Sequence, residues 1–267
     1  MEDKMKDTIA IIIAAGASTR LRPLTNDLPK CMLEIDQKPL IKYCIDNFNS
    51  NGIDRISVVT GYKAEKINFD DLDRYHNDQY LDNNILHSLL YARPALEQAQ
   101  KEKHSVIISY SDIWFHSDVV KRLKESTGDI NLIVDIDWQS AYEGRTDHPL
   151  SEAELAFFTN SGILKAIGKN SKPPMEDKCI RGEFIGLFML SPQGIEKFLN
   201  VFDKINKSLS AKSPFENAAE WQKSYITDIM QYMVSNQVLI DCVSIEGGWK
   251  EFDTEQDFNG GLPLWKN

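Results

Sequence analysis

The stretch TIAIIIAAGASTRLRPLTNDLPKCM, residues 8–32, decides the fold of this chain. Its near-continuous apolar run, Thr8–Ala15, predicts a strand that is covered on both faces. The small residues at positions 14–18 allow backbone N–H groups to approach a polyanion closely. Arg20, Arg22 and Lys30 add positive charge around the same loop. The stretch therefore predicts a phosphate-binding loop at the carboxyl end of a parallel strand.

Strand-like and helix-like segments alternate after this loop. The sequence predicts strands at Thr8–Ala15, Arg55–Thr60, His104–Tyr110 and Ile130–Ile136, and helices at Leu40–Asn49, Leu86–Gln98 and Val119–Glu125. This order predicts an α/β fold with an open, mostly parallel sheet and helices on both of its faces.

The second half of the chain has a different pattern. We expect a hairpin at Glu154–Thr159 and Ile163–Ile167, a strand at Glu183–Leu190 and a helix at Pro192–Asn200. A polar linker at Lys204–Pro214, a long helix at Glu216–Val234 and a late strand at Val238–Ile245 are expected to follow. A length of 267 residues suits one domain over residues 1–267. We divide it into a core at about residues 8–137 and a second part at about residues 138–258.

Composition narrows the function further. The net charge is −10, which argues against a nucleic acid partner and means that an anionic ligand needs local cations or a metal ion. The four cysteines show no C-x-x-C spacing, which is typical of a reducing compartment. The charged start, MEDKMKD, and the short apolar run after it resemble neither a signal peptide nor a membrane span. We therefore expect a cytoplasmic protein with no membrane partner.

Neither of two common phosphate-binding motifs fits the opening stretch, since it has one glycine and no Gly-Lys-Ser/Thr. The stretch resembles the signature of the nucleotidyltransferases that activate sugar phosphates and small phospho-alcohols, A-A-G-x-G-[TS]-R-L-x-P-L-T-x-x-x-P-K. The matching residues are Ala14, Ala15, Gly16, Thr19, Arg20, Leu21, Pro23, Leu24, Thr25, Pro29 and Lys30, and Ser18 replaces the second glycine. The resemblance implies a Rossmann-like nucleotide-binding core with a small hairpin and helical subdomain that binds the acceptor.

The resemblance also implies a magnesium site. In this family, one aspartate at the end of the fourth strand and another in a late E-x-D-T segment hold Mg²⁺. By position these are Asp112 and Asp253. Mg²⁺ prefers carboxylate oxygens and keeps water or phosphate as its other ligands. A lone aspartate is, however, more often a helix cap or a turn residue.

Two cations are the predicted catalytic residues. Lys30 is expected to meet the α-phosphate and offset the charge of the transition state, and Arg20 to grip the β- and γ-phosphates. The acceptor is already an anion, so the reaction requires no nucleophile from the protein. The predicted nucleotide-binding residues are Ala14, Ala15, Gly16, Ala17, Ser18, Thr19, Asn83, Asn84, Ser88 and Ser111.

Residues in the middle of the chain predict which base the bound nucleotide carries. The P-x-G-x-A/T-x-A segment of many sugar nucleotidyltransferases is missing. Residues 82–89 instead resemble the asparagine-rich stretch of the phosphocholine and phosphonate cytidylyltransferases. Asn83, Asn84 and Ser88 are then expected to read the edge of cytosine, because amides both donate and accept. Asn83 or Asn84 would equally serve as the N-cap of the next helix.

The acceptor is harder to predict. Arg145 is expected to hold the phosphate or phosphonate of the acceptor, and Asp137 and Glu183 are expected to bind an ammonium group. Trp249 is expected to offer an aromatic face to the same cation. Each has an ordinary alternative, since tryptophan is often half-buried core and acidic residues usually face water. Aminoethylphosphonate, hydroxyethylphosphonate, phosphocholine and a phosphorylated amino acid or amide all stay open.

The main hypothesis is a Mg²⁺-dependent cytidylyltransferase that joins CTP to a small phosphorylated or phosphonate acceptor. One alternative is a sugar-1-phosphate uridylyl- or thymidylyltransferase, which shares the first motif. Another is a non-catalytic nucleotide-binding module, which the intact lysine and aspartates disfavour. The sequence leaves the oligomeric state open, a homo-oligomer included.

Overall fold

A computed structural model describes residues 7–175 and 178–263 of the chain. The first six residues of the charged amino-terminal segment lie outside the described residues. None of the helices within the described ranges is long and apolar enough to cross a bilayer.

The described chain contains short and long strands in alternation with helices. The strands are β1 (Thr8–Ala14), β2 (Glu34–Ile35), β3 (Lys38–Pro39), β4 (Ile56–Thr60), β5 (Leu72–His76), β6 (Ser105–Tyr110), β7 (Ile113–Phe115), β8 (Ile130–Asp135), β9 (Glu154–Phe158), β10 (Leu164–Lys169), β11 (Ile180–Leu190), β12 (Asp241–Ile245) and β13 (Trp249–Glu251). The α-helices are α1 (Leu40–Ser50), α2 (Ile85–Leu89), α3 (Arg93–Glu102), α4 (Ser117–Glu125), α5 (Pro192–Ser208), α6 (Ile226–Ser235) and α7 (Glu255–Asn259).

A nine-stranded sheet organises these elements. Its centre is parallel, because β1 pairs with β4 on one side and with β6 on the other, and β4 pairs with β5. Strand β1 is buried on both faces, as its unbroken run of isoleucines predicts. The prediction of an open, mostly parallel α/β sheet is confirmed.

Strand β11 corrects the predicted strand order. It runs antiparallel between β6 and β8, so β8 is not the next parallel strand of the core. Strand β12 then pairs with β8 in parallel at that edge. Alternation of strands and helices alone gives no signal for a long strand inserted from the second half of the chain, and this explains the error.

Helices cover both faces of the sheet. One apolar cluster packs α2, α3, α5 and α6 on one face, and a second packs α1 and α4 on the other. In α1 the buried residues recur at helical spacing, at Leu40, Ile41, Cys44, Ile45 and Phe48. Burial of such a stripe removes apolar surface from water and holds the helix against the sheet.

Three predicted boundaries were wrong. The helix predicted at Leu86–Gln98 is interrupted by a 3-10 turn, and Pro94 lies in the first turn of α3, where its missing N–H costs no hydrogen bond. Helix α5 continues to Ser208 into the predicted linker. The long helix predicted at Glu216–Val234 begins only at Ile226. Strands β5 and β7 were not predicted, since each is short and β5 is partly exposed.

The predicted hairpin is present as β9 and β10, which pair antiparallel. Strand β9 also pairs with the first residues of β11, on the edge opposite β8. The hairpin therefore extends the same sheet as the core. The division of the chain near residue 137 stays a prediction.

Candidate active site

A large cavity of about 460 Å³ opens at the carboxyl ends of β1 and β6. This is the edge at which open α/β sheets bind their ligands. Its walls come from the loop after β1, from the residues around Lys30 and Asp112, from the start of α2, and from the hairpin. The cavity brings together most of the predicted site residues, and Ser111 is one of those that line it.

The loop of residues 15–20, here called the cradle, forms one wall. The backbone N–H groups of Gly16, Ala17 and Ser18 make no backbone hydrogen bond to another described part of the protein. All six residues of the cradle line the cavity, together with Ala14. Unpaired N–H groups on a loop of small residues offer donors to a polyanion.

The cradle is held from behind by a second loop. The Ala15 carbonyl accepts a hydrogen bond from the Tyr62 N–H at 3.0 Å. A Cβ at Gly61 would lie 2.6 Å from the Ala15 oxygen, so only glycine allows this approach. The Thr25 hydroxyl donates to the Ser18 carbonyl at 2.9 Å. These contacts fix the cradle before any ligand binds.

Ser18 adopts the left-handed conformation that the glycine of the family pattern would favour. Its φ is 46° and its ψ is 49°, immediately before a 3-10 turn at Thr19–Leu21. A non-glycine residue in this region is uncommon and carries a modest conformational cost. The replacement of glycine by serine therefore leaves the turn of the loop in place.

A small two-stranded ribbon brings the two predicted metal ligands together. Strand β7 follows Asp112 directly, and β13 ends two residues before Asp253. The two strands pair antiparallel, with Glu251 opposite Ile113. The Phe252 N–H also donates to the Asp112 carbonyl at 2.9 Å. The ribbon explains how residues 141 positions apart in the chain reach the same cavity.

Lys30 lies between these two aspartates. Its ammonium group is 2.6 Å from Asp112 Oδ2 and also pairs with Asp253 Oδ1. The exposed Arg20 guanidinium lies 2.7 Å from Asp253 Oδ2. Burial alone would lower the pKa of Lys30, but the charges of Asp112 and Asp253 outweigh it and raise that pKa. Burial would raise the pKa of Asp253, whereas Lys30 and Arg20 hold it at about 2.

Asp112 has an oxygen atom to spare for a cation. Asp112 Oδ1 is buried and has no hydrogen-bond partner among the described residues. A buried carboxylate oxygen without a partner is costly and requires an explanation. Hard oxygen donors of this kind fit Mg²⁺. Asp112 and Asp253 thus meet the chemical requirement for the predicted metal site.

A second group of potential ligands includes Asp253. Single atoms of His148, Glu251 and Asp253 lie within 4.8 Å of one another. Burial lowers the pKa of His148, which favours its neutral form, and burial next to Asp253 raises the pKa of Glu251. No sequence pattern predicts His148 here, because it stands in an irregular loop before a proline.

The asparagine-rich stretch lies at the side of the cavity next to α2. Asn83 and Ser88 line it, and both bond to the buried Asn77, whose amide nitrogen donates to Asn83 Oδ1 and Ser88 Oγ at 2.9 Å each. Asn84 is the N-cap of α2, with its Oδ1 accepting from the Ile85 N–H. The capping alternative is therefore correct for Asn84, and the reading of a base by these residues stays a prediction.

The four predicted acceptor residues are not among the residues that line the large cavity. Arg145 forms a two-point ion pair with the buried Asp257, at 2.8 and 2.9 Å. Asp137 is exposed and accepts from the Ser140 hydroxyl. The Trp249 indole is buried and donates to Asp135 at 2.7 Å. Glu183 is buried and accepts from the Tyr142 hydroxyl at 2.6 Å. All four thus have structural partners that the sequence did not reveal, and Glu183 and Trp249 border a second, smaller cavity.

The hairpin supplies a wall that the sequence did not predict. We call it the hairpin wall, and it consists of Glu152, Glu154, Lys169 and Tyr225. Lys169 Nζ lies 2.7 Å from Glu152 Oε2 and 4.7 Å from the centre of the Tyr225 ring. Glu154 accepts from the Thr227 hydroxyl at 2.7 Å. The one available signal was that the predicted hairpin begins and ends near charged residues.

Comparison with known proteins defines the class of this chain. Residues 9–143, about half of the chain, match the Nucleotidyl transferase family. A protein of Campylobacter jejuni named CTP:phosphoglutamine cytidylyltransferase is 32% identical over 254 residues, which cover 93% of this chain and 96% of that protein. The chain therefore belongs to the nucleotidyl transferase family, and it is an enzyme by that membership.

Two further relatives lie in the predicted branch. A choline-phosphate cytidylyltransferase of Streptococcus pneumoniae is 41% identical over 93 residues, which cover 33% of this chain and 40% of that protein. The solved structure of a CTP:phosphocholine cytidylyltransferase from the same species aligns with a TM-score of 0.66 at 20% identity, over 95% of this chain and 97% of the other. The predicted resemblance to this family and its fold is confirmed.

Proposed function

We propose that this enzyme transfers a cytidylyl group from CTP to a small acceptor that carries a phosphate or phosphonate, and releases pyrophosphate. The observation that carries the proposal is the meeting of three features in one cavity. They are the free N–H groups of the cradle, the cations Arg20 and Lys30, and the paired carboxylates Asp112 and Asp253. The near full-length likeness to a cytidylyltransferase supports CTP as the donor.

In this proposal the protein positions two anions and offsets their charge. The acceptor oxygen forms a bond to the α-phosphorus, and the bond from that phosphorus to the pyrophosphate oxygen breaks in line. The cradle N–H groups and Arg20 hold the β- and γ-phosphates, whose negative charge grows as pyrophosphate leaves. Lys30 stabilises the charge that develops at the α-phosphate.

Asp112 and Asp253 are the residues that would hold Mg²⁺. Asp112 Oδ1, which has no partner within the described residues, offers one ligand atom, and the Asp253 carboxylate would turn from Lys30 and Arg20 to offer a second. A bound Mg²⁺ would neutralise charge on the α-phosphate and the acceptor. His148 lies 3.5 Å from Glu251 and 3.7 Å from Asp253, so it stands next to this proposed site.

The base is proposed to lie at the side of the cavity formed by Asn83 and Ser88. Both side chains are buried and belong to the network around Asn77, which fixes their orientation. A fixed amide with donors and an acceptor suits the donor and acceptor edge of cytosine. The start of α2 is adjacent to this network, with Asn84 as its cap.

A screen for pyrophosphate release tests the proposal. The enzyme and Mg²⁺ are incubated with CTP, UTP or dTTP, each against phosphoglutamine, phosphocholine, 2-aminoethylphosphonate and glucose 1-phosphate. We expect release with CTP and at least one of the first three acceptors. Release with UTP or dTTP and glucose 1-phosphate alone would instead identify a sugar nucleotidyltransferase. Calorimetric binding of CTP without release for any acceptor would identify a non-catalytic module.

A further inference from the structure

A second, small cavity lies next to the large one and is lined by carboxylates. Its volume is about 30 Å³, and Glu152, Glu154, Glu183 and Glu251 all border it. Three of these glutamates, together with Tyr110, also line the large cavity. The two spaces therefore share a wall. A polar space of this size admits a small group, since about 10–15 Å³ of such volume is enough for one water molecule.

The Glu183 side chain indicates which kind of chemical group this small cavity binds. Its side chain is only 4% exposed, and its Oε2 atom has no hydrogen-bond partner within the described part of the chain. Its other oxygen accepts from Tyr142. Burial raises the pKa of Glu183 to about 8 and that of Glu154 to about 7. A buried carboxyl oxygen without a partner is costly, and a cationic donor in the cavity would satisfy it.

A positive charge stands beside this carboxylate group. Lys169 lies directly opposite Glu154 in the β9–β10 ladder, and Lys169 lines the large cavity. Its ammonium group already contacts Glu152 and the ring of Tyr225. Residues paired in this way lie about 5 Å apart at Cβ. A ligand in the large cavity therefore meets an anion-binding and a cation-binding group close together.

Hydrogen bonding to Glu183 distinguishes between kinds of cation. A primary ammonium group has three donors for carboxylate oxygens. A trimethylammonium group has no N–H and donates no hydrogen bond to Glu183. The unpartnered oxygen of Glu183 therefore suits a primary ammonium group better than a quaternary one.

We propose that the acceptor is a phosphorylated α-amino acid, whose ammonium group enters the small cavity at Glu154 and Glu183 and whose carboxylate pairs with Lys169. This inference rests on the proposed cytidylyl transfer, which supplies the phosphorylated acceptor. It narrows the acceptors that the sequence left open. It also assigns a binding role to Lys169 and Glu154, which the sequence did not single out.

A matched series of acceptors tests both contacts. The series consists of phosphoglutamine, phosphorylated 4-aminobutanamide, which lacks the α-carboxylate, phosphorylated glutaramic acid, which lacks the α-ammonium, and phosphocholine. We expect kcat/KM with phosphoglutamine to exceed each of the others by about 100-fold, because each loss leaves a charged group of the site unpaired. Equal rates with phosphocholine or with either truncated acceptor would overturn the inference.

Four variants assign each contact to its residue. Lys169→Met is expected to lower kcat/KM about 100-fold with phosphoglutamine but less than about threefold with phosphorylated 4-aminobutanamide. Lys169→Arg keeps the positive charge and is expected to restore most of the activity with phosphoglutamine. Glu154→Gln and Glu183→Gln should act on the acceptors that carry the ammonium group and spare phosphorylated glutaramic acid. Lys165→Met, on the same strand but outside the residues that line either cavity, and the exposed Glu196→Gln are the controls.

The outcomes separate this inference from the proposed function. Calorimetric binding of CTP with wild-type affinity shows that each variant is folded. Equal losses with every acceptor in Lys169→Met would overturn the pairing with the carboxylate. Pyrophosphate release from CTP with no preference within the series would overturn the acceptor class and leave the cytidylyl transfer intact. No release with any acceptor would overturn the cytidylyl transfer itself.

Discussion

The two walls of the large cavity are built in different ways. The cradle is one continuous loop of six residues that offers backbone N–H groups, and its shape is fixed by contacts from Tyr62 and Thr25 behind it. The hairpin wall is assembled from side chains that lie far apart in the chain and carry both signs of charge. A backbone surface depends little on side-chain identity, whereas a side-chain surface changes with each substitution. The cradle thus suits the constant part of a substrate, and the hairpin wall its variable part.

The largest effect is expected on the cradle side, at Asp112. Asp112→Asn keeps the size of the side chain but removes the charge, so we expect turnover to fall by more than about 10³-fold. The measurement is pyrophosphate release at saturating Mg²⁺, with circular dichroism to confirm the fold. Asp137→Asn, at an exposed aspartate, is the matched control. Unchanged turnover would show that Asp112 holds no metal ion.

Lys30 is expected to matter almost as much. Lys30→Ala removes the cation that contacts both aspartates, and we expect kcat to fall by about 10²–10³-fold because one charge stabiliser is lost. Steady-state kinetics with varied CTP measure this. Arg22→Ala is the control, since Arg22 lies in the same segment but outside the residues that line the cavity. A change in KM alone would mean that Lys30 binds the ground state and not the transition state.

The ion pair between Arg145 and Asp257 tests whether Arg145 stabilises the fold or binds the acceptor. Its two-point contact with the buried Asp257 implies a structural role, so Arg145→Leu should lower the free energy of unfolding by about 3–5 kcal/mol. Urea denaturation measures this. The half-exposed pair Arg93–Asp203 has the same two-point geometry, and Arg93→Leu should cost less than about 1 kcal/mol. A stable Arg145→Leu with a raised KM for the acceptor would instead restore the predicted acceptor role.

At Glu183 we expect a dependence of stability on pH. Burial raises the pKa of Glu183 to about 8, so the folded protein keeps a proton that the unfolded chain releases above a pKa of roughly 4.3. The contribution of this carboxyl to stability is therefore complete below that lower pKa and is lost as the pH rises towards 8. Glu183→Gln should remove this loss.

Denaturation of the wild type and of Glu183→Gln at pH 5.5 and pH 8, values that bracket much of this range, checks the sign. The variant should gain stability relative to the wild type as the pH rises. The exposed Glu196→Gln should follow the wild type at both values. A variant whose stability changes in parallel with the wild type would show that Glu183 is ionised throughout.

The same contrast explains what could be predicted from the sequence. The cradle and Lys30 lie in one segment, and their chemistry requires small residues and cations at fixed spacing, so a pattern of residues was sufficient. Asp112 and Asp253 required the family pattern, because only the β7–β13 ribbon brings them together. Glu154 and Lys169 are paired between β9 and β10, and Glu183 lies opposite Leu155 between β9 and β11, and no local pattern encodes that register.

The central claim is that the cradle and the two aspartates form one site for a nucleoside triphosphate. A crystal structure of the protein with Mg²⁺ and a non-hydrolysable analogue of CTP tests it most directly. We expect the β- and γ-phosphates on the N–H groups of Gly16, Ala17 and Ser18, Lys30 at the α-phosphate, and a metal ion on Asp112 and Asp253. A triphosphate bound elsewhere, or aspartates still paired with Lys30 in the nucleotide complex, would contradict the claim.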